Sequence, residues 1–515
     1  MSKKELKKIC GRVVLVGAGP GDLGLITVAG LRRLEQAQVV VYDALVNPEL
    51  LDHVHKDAEL IDVGKRAGAH KYSQEQINQL LARKAAEGKL VVRLKGGDPY
   101  LFGRGGEEAI YLGRHGIALE VISGVTSGIA AAATAGVPVT YRHIARTVTL
   151  VTGHEDLADN DSSVDYAALA RLISDGGTVC FYMAMTRLSE VCSMLHGAGL
   201  SLDIPAVVIE WGTCPRQRTA RASLGNLPEK VQQENLQAPS IVVVGQVAAL
   251  DEPGLDFFSA RPLFGKRIMI TRSPQQSLAL KNMLYELGAE VIEAPAITIR
   301  PKHDWADVDR VIRKINQYDW LVFTSVNGVK AFARRLADVG ADSRRLANLK
   351  VAVIGDATAR SLRKELALIA DCVPGRFVAE SLADAMTGNF DMSGKRVLML
   401  RAEIARPALA VKLKEAGAVV DDMAIYSTQL ANAVPACALE RLRNHEVDWV
   451  TFTSSSTVLG LLNALGTERS LLEYTRIASI GPITSRTVHD AALRVTAEAN
   501  VCNMQGLVDA IVDSA

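Results

Sequence analysis

Residues 92–108 read VRLKGGDPYLFGRGGEE, and this stretch carries the strongest single indication of the fold. It opens on the end of an apolar, strand-like run and continues into a loop that holds five glycines and one proline. Glycine adopts backbone conformations that other residues avoid and lets the backbone approach a ligand closely. Because Asp98 and Arg104 lie among these glycines, the stretch predicts a ligand-binding loop that follows a buried strand.

The stretch belongs to an alternation of strand-like and helix-like segments over the first 250 residues. The strand-like segments are short runs rich in β-branched residues, at 13–17, 39–43, 90–94, 118–122, 178–183, 206–210 and 240–245. Amphipathic patterns such as TVAGLRRLEQA and DYAALARLISDG lie between most of them. The alternation predicts an α/β fold whose strands are buried on both faces.

Two further glycine-rich loops follow predicted strands. VGAGPGD at 16–22 reads G-x-G-x-x-D, and Pro20 removes one of the amides that would bind a pyrophosphate, so a dinucleotide site loses support. SGVTSGIAAAATAGVPVT at 123–140 offers the hydroxyls of Thr126 and Ser127 before a helix of small residues. Each loop alone is compatible with a tight turn that binds nothing. Three such loops after three strands indicate a ligand site.

The ordered motifs of this half resemble those of uroporphyrinogen-III C-methyltransferase. They are GAGPGD, DALV, VRLKGGDPYLFGRGGEE, GVTS, TGH, FYMA, VVIEWGTCPRQRT and PSIVVVGQV, and they extend over residues 11–250. The resemblance implies a two-lobed tetrapyrrole methylase fold, with S-adenosylmethionine in a cleft between two α/β lobes. It also implies methylation of uroporphyrinogen III at C2 and C7, which gives precorrin-2 for siroheme or cobalamin synthesis.

Position by position, the resemblance assigns one set of residues to the cofactor and two residues to proton transfer. The implied cofactor contacts are Pro20, Gly96, Gly97, Asp98, Leu101, Thr126, Ser127, Met183, Gly212 and Ser240. Asp43 and Lys65 match the family's proposed acid–base pair, since a carboxylate and an amine in a partly desolvated site shift each other's proton affinity. Without the resemblance, a solvated surface charge is the simpler interpretation of either residue.

The second half of the chain repeats itself. GKRIMITR at 265–272 recurs as GKRVLMLR at 394–401, and DWLVFTS at 319–325 recurs as DWVTFTS at 448–454, with 129 positions between the members of each pair. A period of this length predicts two domains of one α/β fold, because solenoid repeats span only about 20 to 50 residues. Two prolines and two glycines at 251–265 predict a linker at 251–264 before the repeat begins.

The segment 265–515 resembles uroporphyrinogen-III synthase. The resemblance implies two α/β lobes joined by a two-stranded connection, with 266–299 and 429–515 in lobe one and 302–427 in lobe two. It also implies the closure of hydroxymethylbilane with ring D inverted and with loss of water, using neither a metal nor an organic cofactor.

The same resemblance supplies candidate residues for the synthase site. Tyr426 matches the family tyrosine proposed to assist departure of the hydroxyl group, although an amphipathic residue at a lobe edge is an equal alternative. Loops expected to face the cleft carry polar side chains that could bind the substrate carboxylates, at Ser325, Asn327, Ser454 and Thr484. Arg272 and Arg401 are equivalent in the repeat, and they pair either with substrate carboxylates or in surface salt bridges.

Charge and cysteine content exclude several classes of protein. The 58 Lys and Arg residues nearly balance the 57 Asp and Glu residues, so the chain lacks the basic character of a nucleic-acid binder. The seven cysteines show no CxxC spacing, so neither a disulfide framework nor a metal site is suggested. The charged amino terminus and the absence of an apolar run of about 18 residues predict a cytoplasmic protein without a membrane span.

These observations together predict a bifunctional tetrapyrrole enzyme that forms a homodimer through its methyltransferase half. Two alternatives stay open. The first half could methylate a later corrin intermediate, or the second half could be a catalytically inactive, tetrapyrrole-binding regulatory module.

Overall fold

The computed structural model describes residues 11–64, 72–153, 164–375, 379–404 and 407–515. The chain forms two compact units, one of Met1–Lys266 with Leu284–Glu290 and one of Arg267–Met283 with Val291–Ala515. Within the described residues, no helix is both long and apolar enough to cross a membrane.

The first unit begins with a parallel five-stranded sheet in the order β3-β2-β4-β1-β5. Its strands are β1 (Arg12–Gly17), β2 (Val39–Tyr42), β3 (Glu59–Asp62), β4 (Leu90–Lys95) and β5 (Ala118–Ile122). Its helices are α1 (Val28–Gln36), α2 (Gln74–Ala86) and α3 (Gly105–Arg114), and α4 (Ser127–Thr134) follows β5 and packs against the second sheet of the unit. The valine-rich β1 is buried on both faces because helices cover both sides of such a sheet. Since β1 lies between β4 and β5, the three glycine-rich loops leave the sheet side by side.

A mixed sheet in the order β6-β7-β10-β8-β9 follows in the first unit. Its strands are β6 (Val148–Thr152), β7 (Thr178–Tyr182), β8 (Pro205–Glu210), β9 (Arg218–Ser223) and β10 (Ser240–Val244). Its helices are α5 (Tyr166–Ser174), α6 (Leu188–Gly197) and α7 (Leu227–Gln233). The strands β8 and β10 are buried on both faces, as predicted. By contrast, β9 is an antiparallel edge strand in which only Ala220 is fully buried.

The second unit contains two further five-stranded sheets, in the orders β12-β11-β18-β19-β20 and β13-β17-β16-β14-β15. The first has β11 (Arg267–Ile270), β12 (Glu290–Glu293), β18 (Trp449–Phe452), β19 (Arg476–Ser479) and β20 (Ala497–Glu498). The second has β13 (Ile297–Pro301), β14 (Trp320–Phe323), β15 (Lys350–Val353), β16 (Arg396–Ala402) and β17 (Val419–Leu430). The helices are α8 (Pro274–Glu286), α9 (Ala306–Arg313), α10 (Val326–Asp338), α11 (Asp356–Leu366), α12 (Ala379–Asn389), α13 (Ala408–Glu415), α14 (Ala436–Arg443), α15 (Ser455–Leu465), α16 (Pro482–Asp490) and α17 (Met504–Val512).

The sequence repeat corresponds to a structural repeat of these two sheets. Trp320 begins β14 and Trp449 begins β18, and both indoles are fully buried. Each strand lies between two parallel neighbours, β14 between β16 and β15 and β18 between β11 and β19. The internal repeat therefore places equivalent residues at equivalent positions of two sheets.

An antiparallel pair, β13 and β17, connects the two sheets. Its register runs from Ile297 opposite Leu430 to Pro301 opposite Tyr426. The predicted lobe boundary at 299 falls inside β13, which is hydrogen-bonded into the second of the two sheets from its first residue. Tyr426 lies at the far end of this pair.

The predicted linker at 251–264 consists of turns without a helix or a strand. Phe258 and Leu263 are nevertheless buried, and only Phe257 is an exposed aromatic residue. The segment is packed within the first unit.

Candidate functional site

The loops after β1, β4 and β5 meet backbone to backbone at one end of the first sheet. The Gly97 amide donates to the Gly19 carbonyl at 2.8 Å, and the Gly19 amide donates back at 3.3 Å. A Cβ on Gly124 would lie 2.1 Å from the Gly97 oxygen, and a Cβ on Gly17 would lie 2.4 Å from the Gly124 nitrogen. Only glycine permits this approach, so the three loops form one surface of backbone groups.

Four predicted cofactor contacts lie on or beside this surface. Pro20 follows Gly19 and is partly buried, and Gly96 and Gly97 follow β4 directly. A Cβ on Gly97 would meet nothing within 4 Å, so the space beside this residue is open. Leu101 packs against the apolar core of the second sheet.

Asp98, a fifth predicted contact, ties two of the loops together. Its Oδ1 accepts from the Tyr100 amide at 2.8 Å, and its Oδ2 accepts from the Gly124 amide at 3.1 Å. The carboxylate therefore holds the loop after β4 against the loop after β5.

Thr126 and Ser127 begin α4, where a buried tyrosine meets them. Tyr182 Oη lies 2.7 Å from Thr126 Oγ1 and accepts from the Gly128 amide at 2.8 Å. Burial raises the pKa of Tyr182, so its hydroxyl stays protonated. The Tyr182 hydroxyl thus joins the Thr126 side chain to the first turn of α4, and either hydroxyl can donate in the bond between them.

Backbone in the left-handed region occurs at several residues after β4, β7 and β8. They are Phe102 (φ +53°), Arg104 (+57°), Met183 (+55°), Trp211 (+49°) and Thr213 (+71°). Each such residue costs about 1 kcal/mol or more, and such strain is concentrated at ligand sites. Of the predicted contacts, Met183 is half exposed, and Gly212 packs so closely that a Cβ would lie 2.2 Å from the Ala131 Cβ.

Ser240, the last predicted contact, begins β10. Its Oγ is buried and has no hydrogen-bond partner among the described residues. These loops offer a ligand three things: an unsatisfied buried hydroxyl, open space at Gly97 and a surface of backbone amides. Such groups can bind a compact ligand that has carboxylate, hydroxyl and ring-nitrogen groups. The residues present therefore fit S-adenosylmethionine.

A network of buried charges lies behind Asp43. Arg93 Nη2 donates to Asp43 Oδ1, while Arg93 Nε lies 3.2 Å and Lys95 Nζ 3.0 Å from Glu108 Oε1. Arg93, Lys95 and Glu108 are at most 4% exposed, whereas Asp43 is 32% exposed. Burial, followed by the charge of Arg93, lowers the pKa of Lys95. Asp43 is thus the outer member of a fixed ion network rather than a solvated surface charge. Lys65, its predicted partner, lies outside the described residues.

In the second unit, Tyr426 is buried at the end of the β13–β17 pair. Its Oη lies 2.9 Å from Ser325 Oγ, and burial raises its pKa although Ser325 and Asn327 partly offset the rise. The phenol therefore has two polar neighbours, one of which, Ser325, is the N-cap of α10. The tyrosine hydroxyl stays protonated and can donate a hydrogen bond.

The other predicted residues of this unit lie at helix starts. Ser325 and Ser454 cap α10 and α15 at equivalent positions of the repeat, and Asn327 lies in the first turn of α10. Thr484, expected in a loop facing the cleft, lies inside α16 and is 4% exposed. Pro482 is the first residue of that helix, a position that proline favours, so the last residues of the IGPIT motif are helical and not part of the loop. Thr484 does not reach solvent in this conformation.

Comparison with known proteins assigns a family to each half. The family described as Tetrapyrrole (Corrin/Porphyrin) Methylases matches residues 12–228, and the family described as Uroporphyrinogen-III synthase HemD matches residues 279–509. The porphyrin biosynthesis protein HemD of Ruminiclostridium josui is 38% identical over 459 residues, which are 88% of this chain and 89% of that protein. The chain belongs to the family of fused tetrapyrrole methylases and uroporphyrinogen-III synthases. The methylase–synthase is an enzyme of tetrapyrrole biosynthesis, and the resemblance and the α/β fold class inferred from its motifs are confirmed.

Other relatives are similar chiefly to the methylase half. The uroporphyrinogen-III C-methyltransferase of Methanocaldococcus jannaschii is 49% identical over 46% of the methylase–synthase and 96% of its own length. That of Bacillus subtilis is 39% identical over 65% of the chain and 68% of its own length. A crystal structure of the Thermus thermophilus uroporphyrin-III C-methyltransferase with S-adenosyl homocysteine is 35% identical over 46% of the chain and 94% of that chain, with a TM-score of 0.40.

The sequence reasoning missed Tyr182, Arg93, Lys95 and Glu108 of the methylase half. Arg93 and Lys95 are two positions apart in an otherwise apolar strand, so they share a face of the sheet. Two cations on one face of a buried strand require a buried carboxylate, and that signal could have identified Glu108.

Proposed function

We propose that the methylase–synthase makes uroporphyrinogen III and then methylates it. The C-terminal half cyclises hydroxymethylbilane to uroporphyrinogen III, and the N-terminal half methylates this product at C2 and C7 to give precorrin-2 for siroheme or cobalamin synthesis. The observation that carries the proposal is the match to the Ruminiclostridium josui porphyrin biosynthesis protein, which extends over 88% of the chain and through both halves. The names of the relatives matched by the methylase half support the methylation step.

In the methylase half, binding and proton transfer are assigned to separate groups. Bound S-adenosylmethionine supplies an electrophilic methyl group on a positively charged sulfur. The glycine loops and the Thr126 hydroxyl orient the ligand through hydrogen bonds, which is the larger part of catalysis when both reactants are intrinsically reactive. Asp43, held by Arg93 at the edge of the site, accepts the proton that the substrate releases, and Lys65 is proposed as its partner.

In the synthase half, Tyr426 is proposed to protonate the departing hydroxyl group of hydroxymethylbilane. The carbon–oxygen bond breaks, water leaves with the tyrosine proton, and the substrate becomes a cation that closes the ring and returns a proton. The raised pKa of Tyr426 keeps the phenol protonated at neutral pH. Ser325, Asn327 and Ser454 are proposed to bind substrate carboxylates, and Thr484 could do so only if α16 moves.

We also propose the domain limits 1–250, 251–264 and 265–515, with synthase lobes of 266–299 plus 429–515 and of 302–427, between which β13 crosses from Ile297 onward. The same proposal includes three further points. The protein forms a homodimer through its methylase half, it is cytoplasmic, and its synthase half needs no cofactor. Hydroxymethylbilane and uroporphyrinogen III are its small-molecule partners.

The test gives the purified full chain hydroxymethylbilane with and without S-adenosylmethionine. Without the methyl donor we expect the type III isomer of uroporphyrinogen, and with it a product heavier by two methyl increments whose labelled carbons lie at C2 and C7. Formation of the type I isomer alone would refute the synthase proposal and would favour the inactive regulatory module. Absence of methylation of added uroporphyrinogen III would refute the methylase proposal and would favour a later corrin substrate.

Tyr426→Phe tests the assigned role of the phenol. We expect it to lower the synthase kcat about 10²-fold or more and to leave methylation of added uroporphyrinogen III unchanged. Tyr318→Phe is the matched control, because Tyr318 is a buried tyrosine just before β14 whose hydroxyl donates to Asp421 and does not contact Ser325.

A further inference from the structure

Two arginines occupy equivalent positions of the synthase repeat but have different partners. Arg272 follows β11 and Arg401 lies near the end of β16, with 129 positions between them. If both arginines were structural, both would have the same kind of partner. They do not, and the difference points to a function for one of them.

Arg401 has a carboxylate partner within the protein. Its guanidinium forms a two-pronged ion pair with Asp422, in which Nη2 lies 2.9 Å from Oδ2. Its Nη1 donates to the carbonyl oxygens of Ala402 at 2.8 Å and of Glu403 at 3.0 Å. These bonds use four of the five N–H donors of Arg401, and Asp422 balances its charge, so this arginine is structural.

Arg272 lacks a carboxylate partner among the described residues. Its Nη2 donates to Gln276 Oε1 at 2.9 Å, and its Nη1 faces the weak acceptor Met504 Sδ at 3.2 Å. Burial lowers its pKa, and no acidic group among the described residues offsets that effect. The carboxylate that ends the neighbouring strand, Glu293, is already bound by Lys281 and Ser277.

Arg272 is connected to the predicted catalytic tyrosine by a chain of polar side chains. Gln276 accepts from Arg272 and donates through its Nε2 to Asn327 Oδ1. Asn327 is in turn a polar neighbour of Tyr426, where it offsets part of the rise in the tyrosine's pKa that burial causes. The chain runs from β11 and α8 of one sheet to α10 and β17 of the other, so the arginine lies at the site and not at a remote surface.

A partly buried guanidinium without an anion is costly unless a ligand supplies the anion. Arginine is suited to this task because its planar fork binds a carboxylate through two parallel hydrogen bonds. Hydroxymethylbilane carries acetate and propionate side chains and no other charged groups at neutral pH. We propose that Arg272 binds one carboxylate of the linear tetrapyrrole at the synthase site, an inference that rests on the proposed synthase function.

The test compares three variants of the full chain in the synthase reaction. Arg272→Gln removes the charge and keeps hydrogen-bonding capacity, Arg272→Lys keeps the charge, and Arg401→Gln removes the charge of the equivalent arginine. For Arg272→Gln we expect KM for hydroxymethylbilane to rise about 10- to 100-fold with kcat changed less than threefold, the signature of a lost binding contact. Arg272→Lys should recover part of the affinity, and Arg401→Gln should lower the melting temperature without raising KM.

Binding of uroporphyrin III, a fluorescent macrocycle with the same acidic side chains, gives a second measurement that needs no turnover. The affinity of wild type should fall with salt more steeply than that of Arg272→Gln, because one ion pair fewer is screened. An unchanged KM and an unchanged salt slope in a folded Arg272→Gln would overturn this inference while leaving the synthase proposal intact. A wild-type protein that makes no uroporphyrinogen III would overturn both. A drop in melting temperature of Arg272→Gln with unchanged KM would show a structural role and would also overturn it.

Discussion

Arg93 is hydrogen-bonded to Asp43 at the edge of the methylase site and to Glu108 in the interior, so one guanidinium joins an accessible carboxylate to a fully buried one. Lys95 adds a second buried cation to the same Glu108 oxygen, while Glu108 Oε2 has no partner among the described residues. Two cations and two carboxylates balance in charge, and removing any member leaves an uncompensated charge in the interior.

Glu108→Gln should destabilise the first unit by about 3 to 5 kcal/mol, because it leaves Arg93 and Lys95 with only Asp43 as a counterion. Glu107→Gln is the matched control: its carboxylate is half exposed in a surface pair with Arg104, and the expected change is below about 0.5 kcal/mol. Calorimetric unfolding of both variants, read on the transition of the first unit, measures the difference. Equal stability of the two would show that the network is not a structural element.

Gly124→Ala should weaken binding of S-adenosylhomocysteine at least about tenfold, because a Cβ 2.1 Å from the Gly97 oxygen forces the two loops apart. Gly113→Ala provides a control in the same lobe, since a Cβ there meets nothing within 4 Å and lies in α3. That substitution should leave binding unchanged and stabilise the unit by about 0.4 to 1 kcal/mol. Isothermal titration measures both affinities, and normal binding by Gly124→Ala would contradict the assignment of this surface.

Alkaline pH should destabilise the second unit through Tyr318. Burial and the Asp421 carboxylate raise the pKa of Tyr318 to about 12, above its ordinary value of 10.0. Since the folded state holds this proton more tightly, the contribution is complete below pH 10 and is lost as pH rises toward 12. Melting temperature measured between pH 9 and 12 should fall more steeply for wild type than for Tyr318→Phe. Parallel curves would exclude Tyr318 as the titrating group.

Iodoacetamide at pH 8 should modify Cys437 and Cys502, which are exposed, well before the buried thiols. Burial raises the pKa of Cys180 to about 12 and that of Cys192 to about 11, so little reactive thiolate is present. Peptide mass spectrometry of timed samples gives the order of labelling. In guanidinium chloride the difference should vanish, and fast labelling of native Cys180 would contradict the described packing of β7.

Most strands of the methylase half were predictable because strands that are buried on both faces consist of runs of valine and isoleucine. β1, β4, β5 and β10 lie within one residue of their predicted positions. β9 was not predicted, since RTARAS has no apolar run and forms a strand only by pairing with β8 at the edge of the sheet. Its structure depends on a neighbour and not on its own composition.

For the candidate sites, the sequence identified loops better than side chains. Gly97 and Gly124 lie in loops that the sequence singled out because glycine-rich turns after strands allow the backbone to approach closely, and the structure brings these loops into contact. Tyr182 could not be identified in this way, because its partner Thr126 is 56 positions away and is brought close only by packing. The difference between Arg272 and Arg401 was likewise invisible, because it depends on where one acidic side chain, Asp422, lies in space.

The pairing of β11 with β18 also determines the order in which the second unit can be completed on the ribosome. Trp449 is the partner of Ile268, so β11 must wait for about 180 further residues to be synthesised before β18, its neighbour on one side, exists. The other sheet has all five of its strands once Leu430 has emerged. A nascent chain released early would therefore carry one finished sheet and an incomplete second one, in which β11 exposes an unpaired hydrophobic edge that chaperones and proteases recognise.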